Sequence, residues 1–201
     1  MTQNNPWTSE DSLNTYQIPR WGEGYFGIND SGNLCVYPDK NPAGPIMNIK
    51  DIIDEVKKEG LEFPIVFRFQ DILRSQVKKL NETFNETIKE ANFQGEYCGV
   101  YPIKVNQLRE VIEEITDIGM DYRYGLEAGS KPELLTVLAY NKNPRSLTIL
   151  NGYKDREYIE LALLGRQIGR DVIIVVEKLS EIHTIMSVAA EMNVEPVIGV
   201  R

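Results

Sequence analysis

The chain has 201 residues, a formal net charge of −8, and 42% hydrophobic and 26% charged residues. These values are typical of a soluble globular protein, and the acidic charge without a basic run argues against nucleic-acid binding. No apolar run approaches the roughly 20 residues that span a bilayer, and the polar start "MTQNNPWTSEDSLNTY" resembles no targeting peptide. Cys35 and Cys98 match no zinc or disulfide spacing. We therefore expect a cytoplasmic protein without membrane or nucleic-acid partners.

Residues 1–60 are predicted to form an N-terminal hairpin and linker segment. The run "GYFGINDSGNLCVYP" predicts a β-hairpin, because two short apolar runs flank a turn-forming stretch at residues 29–33. The next run, "NPAGPIMN", predicts a linker. The run "IKDIIDEVKKEG" then predicts a short amphipathic helix that ends at Gly60.

From residue 61 onward, strand-like and helical patterns alternate. The strand-like runs are "FPIVFRF", "YCGVYPIKV", "YRYGLEA", "SLTIL", "VIIVVEK" and "EPVIGVR". Alternation of this kind indicates a parallel α/β fold, either a (β/α)8 barrel or a doubly wound sheet. A barrel needs eight units, and this chain supplies six strands before it stops at Arg201. We therefore expect the chain to be an N-terminal piece of a longer protein, and if the fold is a barrel, residues 61–201 form a truncated one.

Polar side chains mark the predicted strand ends. In both parallel architectures, functional sites form where the strands end and the chain turns into helices. These positions are Asp71, Lys104, Asn106, Glu127, Ser130, Asn151, Glu177, Lys178 and Arg201. The set is mixed in charge and drawn from separate strands, which fits a shared site as well as ordinary solvated loops.

Lys104 differs from the others because it stands in "EYCGVYPIKVNQ", a run otherwise suited to a buried strand. Burying an unpaired ammonium is unfavourable, so Lys104 either reaches water at the strand end or has a chemical role. A partly desolvated lysine can act as a neutral amine and form a Schiff base. His183, the only histidine, lies in a predicted helix, so the sequence indicates neither a Ser-His-Asp triad nor a metal site.

The run "VYPIKVNQ" resembles the pyridoxal-phosphate lysine strand of the biosynthetic-type arginine decarboxylases of bacteria and plants, members of the alanine-racemase-like class. The runs "FPIVFRFQDIL", "YGLEAGSKPELL", "LTILNGYKDREYIELALLG" and "VIIVVEKLSEI" agree in the same order. The resemblance implies a (β/α)8 barrel with pyridoxal phosphate on Lys104, the catalytic residue. It also implies that Glu127 is an acidic residue near the cofactor and that Arg201 approaches the phenolic oxygen of the cofactor.

The same resemblance implies the reaction. It predicts decarboxylation of L-arginine to agmatine and CO2 in polyamine (spermidine) biosynthesis, with Mg2+ and a homo-oligomeric full-length enzyme. The family's phosphate loop and further cofactor contacts belong downstream of Arg201, so the chain alone is expected to be inactive. Alternatives are a diaminopimelate or ornithine decarboxylase of the same class, a non-catalytic pyridoxal-phosphate-binding barrel, an inert fragment, and a phosphate-binding barrel without pyridoxal phosphate in which Lys104 is incidental.

Overall fold

A computed structural model describes residues 6–201 of the chain. The chain divides into two compact units, and the boundary along the sequence lies between Ile72 and Leu73. The domain boundary that the sequence predicts after residue 60 stays a prediction. The division into compact units comes later in the chain, after Ile72. Across the described residues, no helix combines the length and the apolar character that a membrane crossing requires.

The first unit is a small antiparallel sheet with short helices. Its elements are α1 (Ser9–Thr15), α2 (Ile18–Gly22), β1 (Phe26–Ile28), β2 (Leu34–Val36), β3 (Met47–Asn48) and α3 (Ile49–Lys58). Phe26 pairs with Val36 in the antiparallel β1–β2 ladder, which confirms the predicted hairpin. The predicted linker contributes β3 as a third strand beside β2. Helix α3 ends just before Gly60, whose φ of +84° suits glycine.

The run "FPIVFRF" at residues 63–69 does not form the predicted first barrel strand. Phe63 and Val66 are 56% and 72% exposed, and Pro64 has no N–H group to donate to a ladder. Asp71 consequently lies in the first turn of a helix and not at a strand end. The parallel sheet in the described part of the chain has five strands, so the prediction of six was wrong.

The second unit is a five-stranded parallel sheet that alternates with helices. Its strands, in spatial and chain order, are β4 (Val100–Pro102), β5 (Gly125–Ala128), β6 (Leu147–Leu150), β7 (Asp171–Val176) and β8 (Val197–Val200). Its helices are α4 (Gln70–Glu90), which starts just before the unit boundary, α5 (Arg109–Gly119), α6 (Lys131–Tyr140), α7 (Arg156–Gln167) and α8 (Leu179–Met192). The sequential strand order confirms the parallel α/β prediction and brings all five carboxyl ends to one edge.

One face of this sheet is buried more deeply than the other. In β7 the side chains of Val172, Ile174 and Val176 are buried, whereas Ile173 and Val175 remain partly exposed. The buried face shares one hydrophobic core with apolar side chains of the helices. These include Ile112, Ile115, Leu134, Val137, Ile159, Leu163, Ile185 and Val188. Their spacing of three or four residues places them on one face of each helix, and the packing fixes the strand ends that carry the polar residues.

Candidate functional site

Lys104 lies on a turn immediately after β4. The strand ends at Pro102, and Ile103–Val105 form one turn of 3-10 helix. Ile103 is fully buried in the core and anchors this turn. The strand was predicted to continue with alternating faces, but the turn leaves both Lys104 and Val105 exposed. The Lys104 side chain is 62% exposed, so its amine reaches solvent at the carboxyl edge of the sheet.

Glu127, near the end of β5, is the acidic partner of Lys104. Its Oε1 lies 3.9 Å from Lys104 Nζ, and its side chain is only 5% exposed. Asn151 Nδ2 donates a hydrogen bond of 2.9 Å to the same oxygen. Oε2 of Glu127 is buried and has no hydrogen-bond partner within residues 6–201. Such an unsatisfied carboxylate oxygen is unfavourable, and it leaves an acceptor for a bound molecule.

Arg201 completes the set of predicted site residues at this edge. Its Nη1 lies 3.5 Å from Oε1 of Glu177, which also accepts a 2.7 Å hydrogen bond from the Gly152 backbone N–H. A cavity of about 370 Å³ is lined by Val100, Pro102, Lys104, Glu127, Asn151 and Arg201. The structure thus brings Lys104, Glu127 and Arg201 together in one cavity, while their roles stay predictions.

Gly152 allows the loops after β5 and β6 to approach each other. Its φ is +78°, and a Cβ atom at this position would lie 2.3 Å from the carbonyl oxygen of Gly129. Tyr158 ties the same loops together, since its hydroxyl donates to the carbonyl oxygens of Ala128 at 3.0 Å and Asn151 at 3.3 Å. Burial raises the pKa of Tyr158, which keeps the hydroxyl protonated as a donor.

A buried ion pair beside the cavity was not predicted from the sequence. The side chains of Lys154 and Glu181 are 1% and 4% exposed, with 3.8 Å between Nζ and Oε2. Burial lowers the pKa of Lys154, against the opposing effect of Glu181. The run "NGYKDR" reads as an exposed turn before a helix, and so contains no signal that its lysine is buried.

Other residues at predicted strand ends have local structural roles. Ser130 caps α6, because its side chain accepts a hydrogen bond from the Glu133 N–H at 3.4 Å. Lys178 Nζ lies 3.7 Å from the centre of the Tyr153 ring. His183 is exposed on α8. Among the residues that the structure describes, no group of three or more His, Cys, Asp and Glu side chains could hold a metal ion.

Comparison with known proteins places this chain in a family. Relatives include the biosynthetic arginine decarboxylases of Aeromonas hydrophila, 48% identical over 97% of this chain, and of Gloeobacter violaceus, 47% identical over 97% of this chain. The crystal structure of the biosynthetic arginine decarboxylase SpeA from Campylobacter jejuni matches 92% of this chain and 30% of its own, with a TM-score of 0.80 and 34% identity.

The chain is similar to only part of these proteins, since it spans 31% and 30% of the two relatives' lengths. The family described as "Pyridoxal-dependent decarboxylase, pyridoxal binding domain" matches residues 74–200. That range contains almost all of the second unit, including Lys104, Glu127 and Asn151. The chain therefore belongs to the pyridoxal-dependent decarboxylase family, and its residues 74–200 match the pyridoxal binding domain of that family.

Proposed function

We propose that the full-length protein is a pyridoxal-phosphate-dependent arginine decarboxylase that converts L-arginine to agmatine and CO2. One observation carries the proposal. An exposed lysine amine and a buried carboxylate share a cavity at the carboxyl edge of the parallel sheet, inside the range matched by the pyridoxal binding domain. The choice of arginine is supported by the names of the relatives.

The residues of the cavity fit pyridoxal phosphate. The aldehyde of the cofactor requires a primary amine, and Lys104 supplies one that is 62% exposed at the cavity wall. Glu127 offers a buried oxygen without a partner among residues 6–201. Arg201 offers a cation suited to the phenolic oxygen. We assign these three residues to cofactor binding, with Lys104 as the attachment point.

When bound, pyridoxal phosphate supplies the electron sink that stabilises the carbanion left by loss of CO2. Lys104 Nζ provides the amine for the cofactor, and it holds a proton when the substrate amine takes its place. Glu127, 3.9 Å away, is the counter-ion for that ammonium. Asn151 fixes the orientation of Glu127 by donating to Oε1. The protein's contribution is therefore orientation and charge compensation around one amine.

We further propose that the five parallel strands belong to a (β/α)8 barrel. Helices flank a sequential parallel sheet, and the second face of β7 is lined by partly exposed apolar side chains such as Ile173 and Val175. That face would point into a barrel interior, where side chains from different strands pack in layers. The expectation that residues 1–201 alone are inactive stays a prediction.

Other implied features also stay predictions, namely a cytoplasmic location, a homo-oligomeric state and a role in polyamine and spermidine biosynthesis. A requirement for Mg2+ also stays a prediction. We assign no step to Mg2+.

The test is decarboxylation by the purified full-length protein with pyridoxal phosphate. We expect CO2 release from L-arginine with agmatine as the product, and no measurable turnover after Lys104→Ala. Lys178→Ala is the matched control, because Lys178 lies outside the cavity lining, and it should leave the rate unchanged. Preference for L-ornithine or diaminopimelate would replace the substrate assignment. Turnover that survives Lys104→Ala would contradict the mechanism.

A further inference from the structure

We propose that the buried pair Lys154 and Glu181 is a positioning device for the pyridoxal-phosphate site. The pair holds the carboxyl ends of β6 and β7 so that Asn151 keeps its place in the cavity wall and Glu177 keeps its place facing Arg201. This inference rests on the proposed function, because it assigns a role in the same site. Neither Lys154 nor Glu181 lines the cavity that contains Lys104, so any effect on the site is indirect.

Glu181 holds two backbone segments at once. Its Oε1 accepts a 3.0 Å hydrogen bond from the N–H of Lys154, in the loop after β6. Its Oε2 accepts a 3.0 Å hydrogen bond from the N–H of Glu177, just after β7. One carboxylate on α8 therefore fixes the distance between two neighbouring strand ends.

Lys154 makes the complementary contacts with backbone carbonyl groups. Its Nζ donates to the Gly152 carbonyl oxygen at 2.6 Å and to the carbonyl oxygen of Val175 in β7. Gly152 in turn donates its N–H to the side chain of Glu177. Lys154 and Glu181 thus make four charge-assisted hydrogen bonds to the backbone at the ends of β6 and β7. These bonds restrict the movement of the loops that follow both strands.

The segments held in this way carry residues of the site. Asn151 precedes Gly152 and donates to Glu127, the partner of Lys104. Glu177 follows the end of β7 and faces Arg201 at 3.5 Å. A shift of either strand end would move the group that orients Glu127 or the group that faces Arg201. Errors of about 1 Å in such positions can reduce rates about a hundredfold.

Stability alone does not explain why two charged side chains occupy this position. Desolvating a lysine and a glutamate is unfavourable, and well-packed apolar side chains of similar size often serve a fold as well or better. Apolar side chains could not bond to the four backbone groups at these strand ends. The charges are therefore better explained by the geometry that they impose.

The test uses three variants of the full-length protein loaded with pyridoxal phosphate. Lys154→Met removes the ammonium and keeps the length of the side chain. Lys154→Met combined with Glu181→Gln removes both charges and leaves no unpaired buried carboxylate. Lys131→Met is the matched control, since Lys131 also contacts the loop after β6, through exposed ion pairs with Asp155 and Glu157, but holds no strand end.

Each variant is assayed for thermal midpoint, pyridoxal phosphate affinity, borohydride-trapped label on Lys104, and kcat per cofactor-loaded site. We expect the thermal midpoint of Lys154→Met to be lower than that of the wild type. The midpoint of the double variant should return most of the way to the wild-type value. It should still bind the cofactor about tenfold more weakly and have a kcat about a hundredfold lower per loaded site. Lys131→Met should match the wild type in all four measurements.

The outcomes separate this inference from the proposed function. Wild-type protein without label on Lys104 would overturn the proposed function, and this inference with it. Label on Lys104 without arginine turnover would overturn only the substrate, because affinity and labelling still test the pair. The inference is wrong if the double variant is folded and matches the wild type in affinity, labelling and kcat per loaded site. It is also wrong if neither Lys154 variant folds, since the pair is then required for the whole unit.

Discussion

Asn151 Nδ2 donates a hydrogen bond to Glu127 Oε1 across 2.9 Å and so joins the loop after β6 to the end of β5. The accepting side chain is 5% exposed, and Lys104 Nζ approaches the same oxygen at 3.9 Å. A donor amide and an amine therefore converge on one buried carboxylate oxygen, while the second oxygen has no partner in the described part of the chain. The stability of this carboxylate should depend strongly on Asn151.

Replacing Asn151 with alanine should lower the free energy of unfolding by about 1–3 kcal/mol, since a buried carboxylate loses a hydrogen-bond donor. The effect should be smaller when Glu127 is already glutamine, because a buried neutral amide is less unfavourable than a buried charge. Urea unfolding of the wild type, both single variants and the double variant gives the coupling energy. Equal effects of Asn151→Ala in both backgrounds would contradict the proposed contact.

Gly152 should be far less tolerant of substitution than Gly169. Both have a positive φ, +78° and +83°, but a Cβ at Gly152 would lie 2.3 Å from a backbone oxygen, and one at Gly169 would meet nothing within 4 Å. Gly169→Ala should therefore cost about 1–2 kcal/mol through backbone strain alone. Gly152→Ala should cost at least about 2 kcal/mol more, because backbone must shift.

The two glycine variants are compared by thermal or urea unfolding under the same conditions. Gly152→Ala should in addition weaken pyridoxal phosphate binding, since the displaced loop carries Asn151. A Gly152→Ala protein as stable as Gly169→Ala would show that the loops after β5 and β6 do not approach as closely as the structure has them.

The sequence alone predicts those helices and strands in which the spacing of apolar residues marks the buried face. The helical spacing of Ile112 and Ile115 and the apolar run of β7 predict a helix and a strand that pack on a core, and both are present. The run at residues 63–69 is just as apolar, but strand formation also needs a neighbouring ladder. No ladder forms there in the described chain, and composition alone could not reveal that.

The candidate site shows the same limit. Strand ends converge in any parallel sheet, so Lys104, Glu127 and Arg201 could be expected near one another from their order alone. The turn at Ile103 was not predictable, because Lys104 and Val105 continue the alternating pattern of a strand. The burial of Lys154 depends on Glu181, which is distant in sequence and on another element. A contact of this kind leaves no local signal.

Stability in acid should depend on Glu181. Burial raises the pKa of this carboxyl group, but hydrogen bonds from the Glu177 and Lys154 N–H groups and the charge of Lys154 outweigh it, so the pKa is lower than its ordinary value of 4.5. A group with a lowered pKa in the folded state stabilises the fold above its unfolded pKa and loses this effect as the pH falls through the folded value. The stability difference between wild type and Glu181→Gln should therefore be constant above about pH 4.5 and shrink below it.

This pH dependence can be measured by urea unfolding of both proteins between neutral and acid pH. Glu157→Gln is the control, as Glu157 forms an exposed ion pair with Lys131 and exposed pairs contribute little. A difference between wild type and Glu181→Gln that stays constant into acid would show that Glu181 has no lowered pKa in the folded protein.

Pyridoxal phosphate should label Lys104 in preference to the other lysines at this edge of the sheet. Lys154 has a side chain that is 1% exposed, so the cofactor cannot reach it. Hydrogen bonds to Asp155 and Glu157 raise the pKa of Lys131, which keeps its amine protonated and a poor nucleophile. Lys178 is placed over the Tyr153 ring, outside the cavity.

Borohydride reduction and peptide mapping of the full-length protein should place the pyridoxyl group on Lys104, and Lys104→Ala should remove it. A label on Lys131 or Lys178 in the wild type would show that the site has been assigned to the wrong lysine.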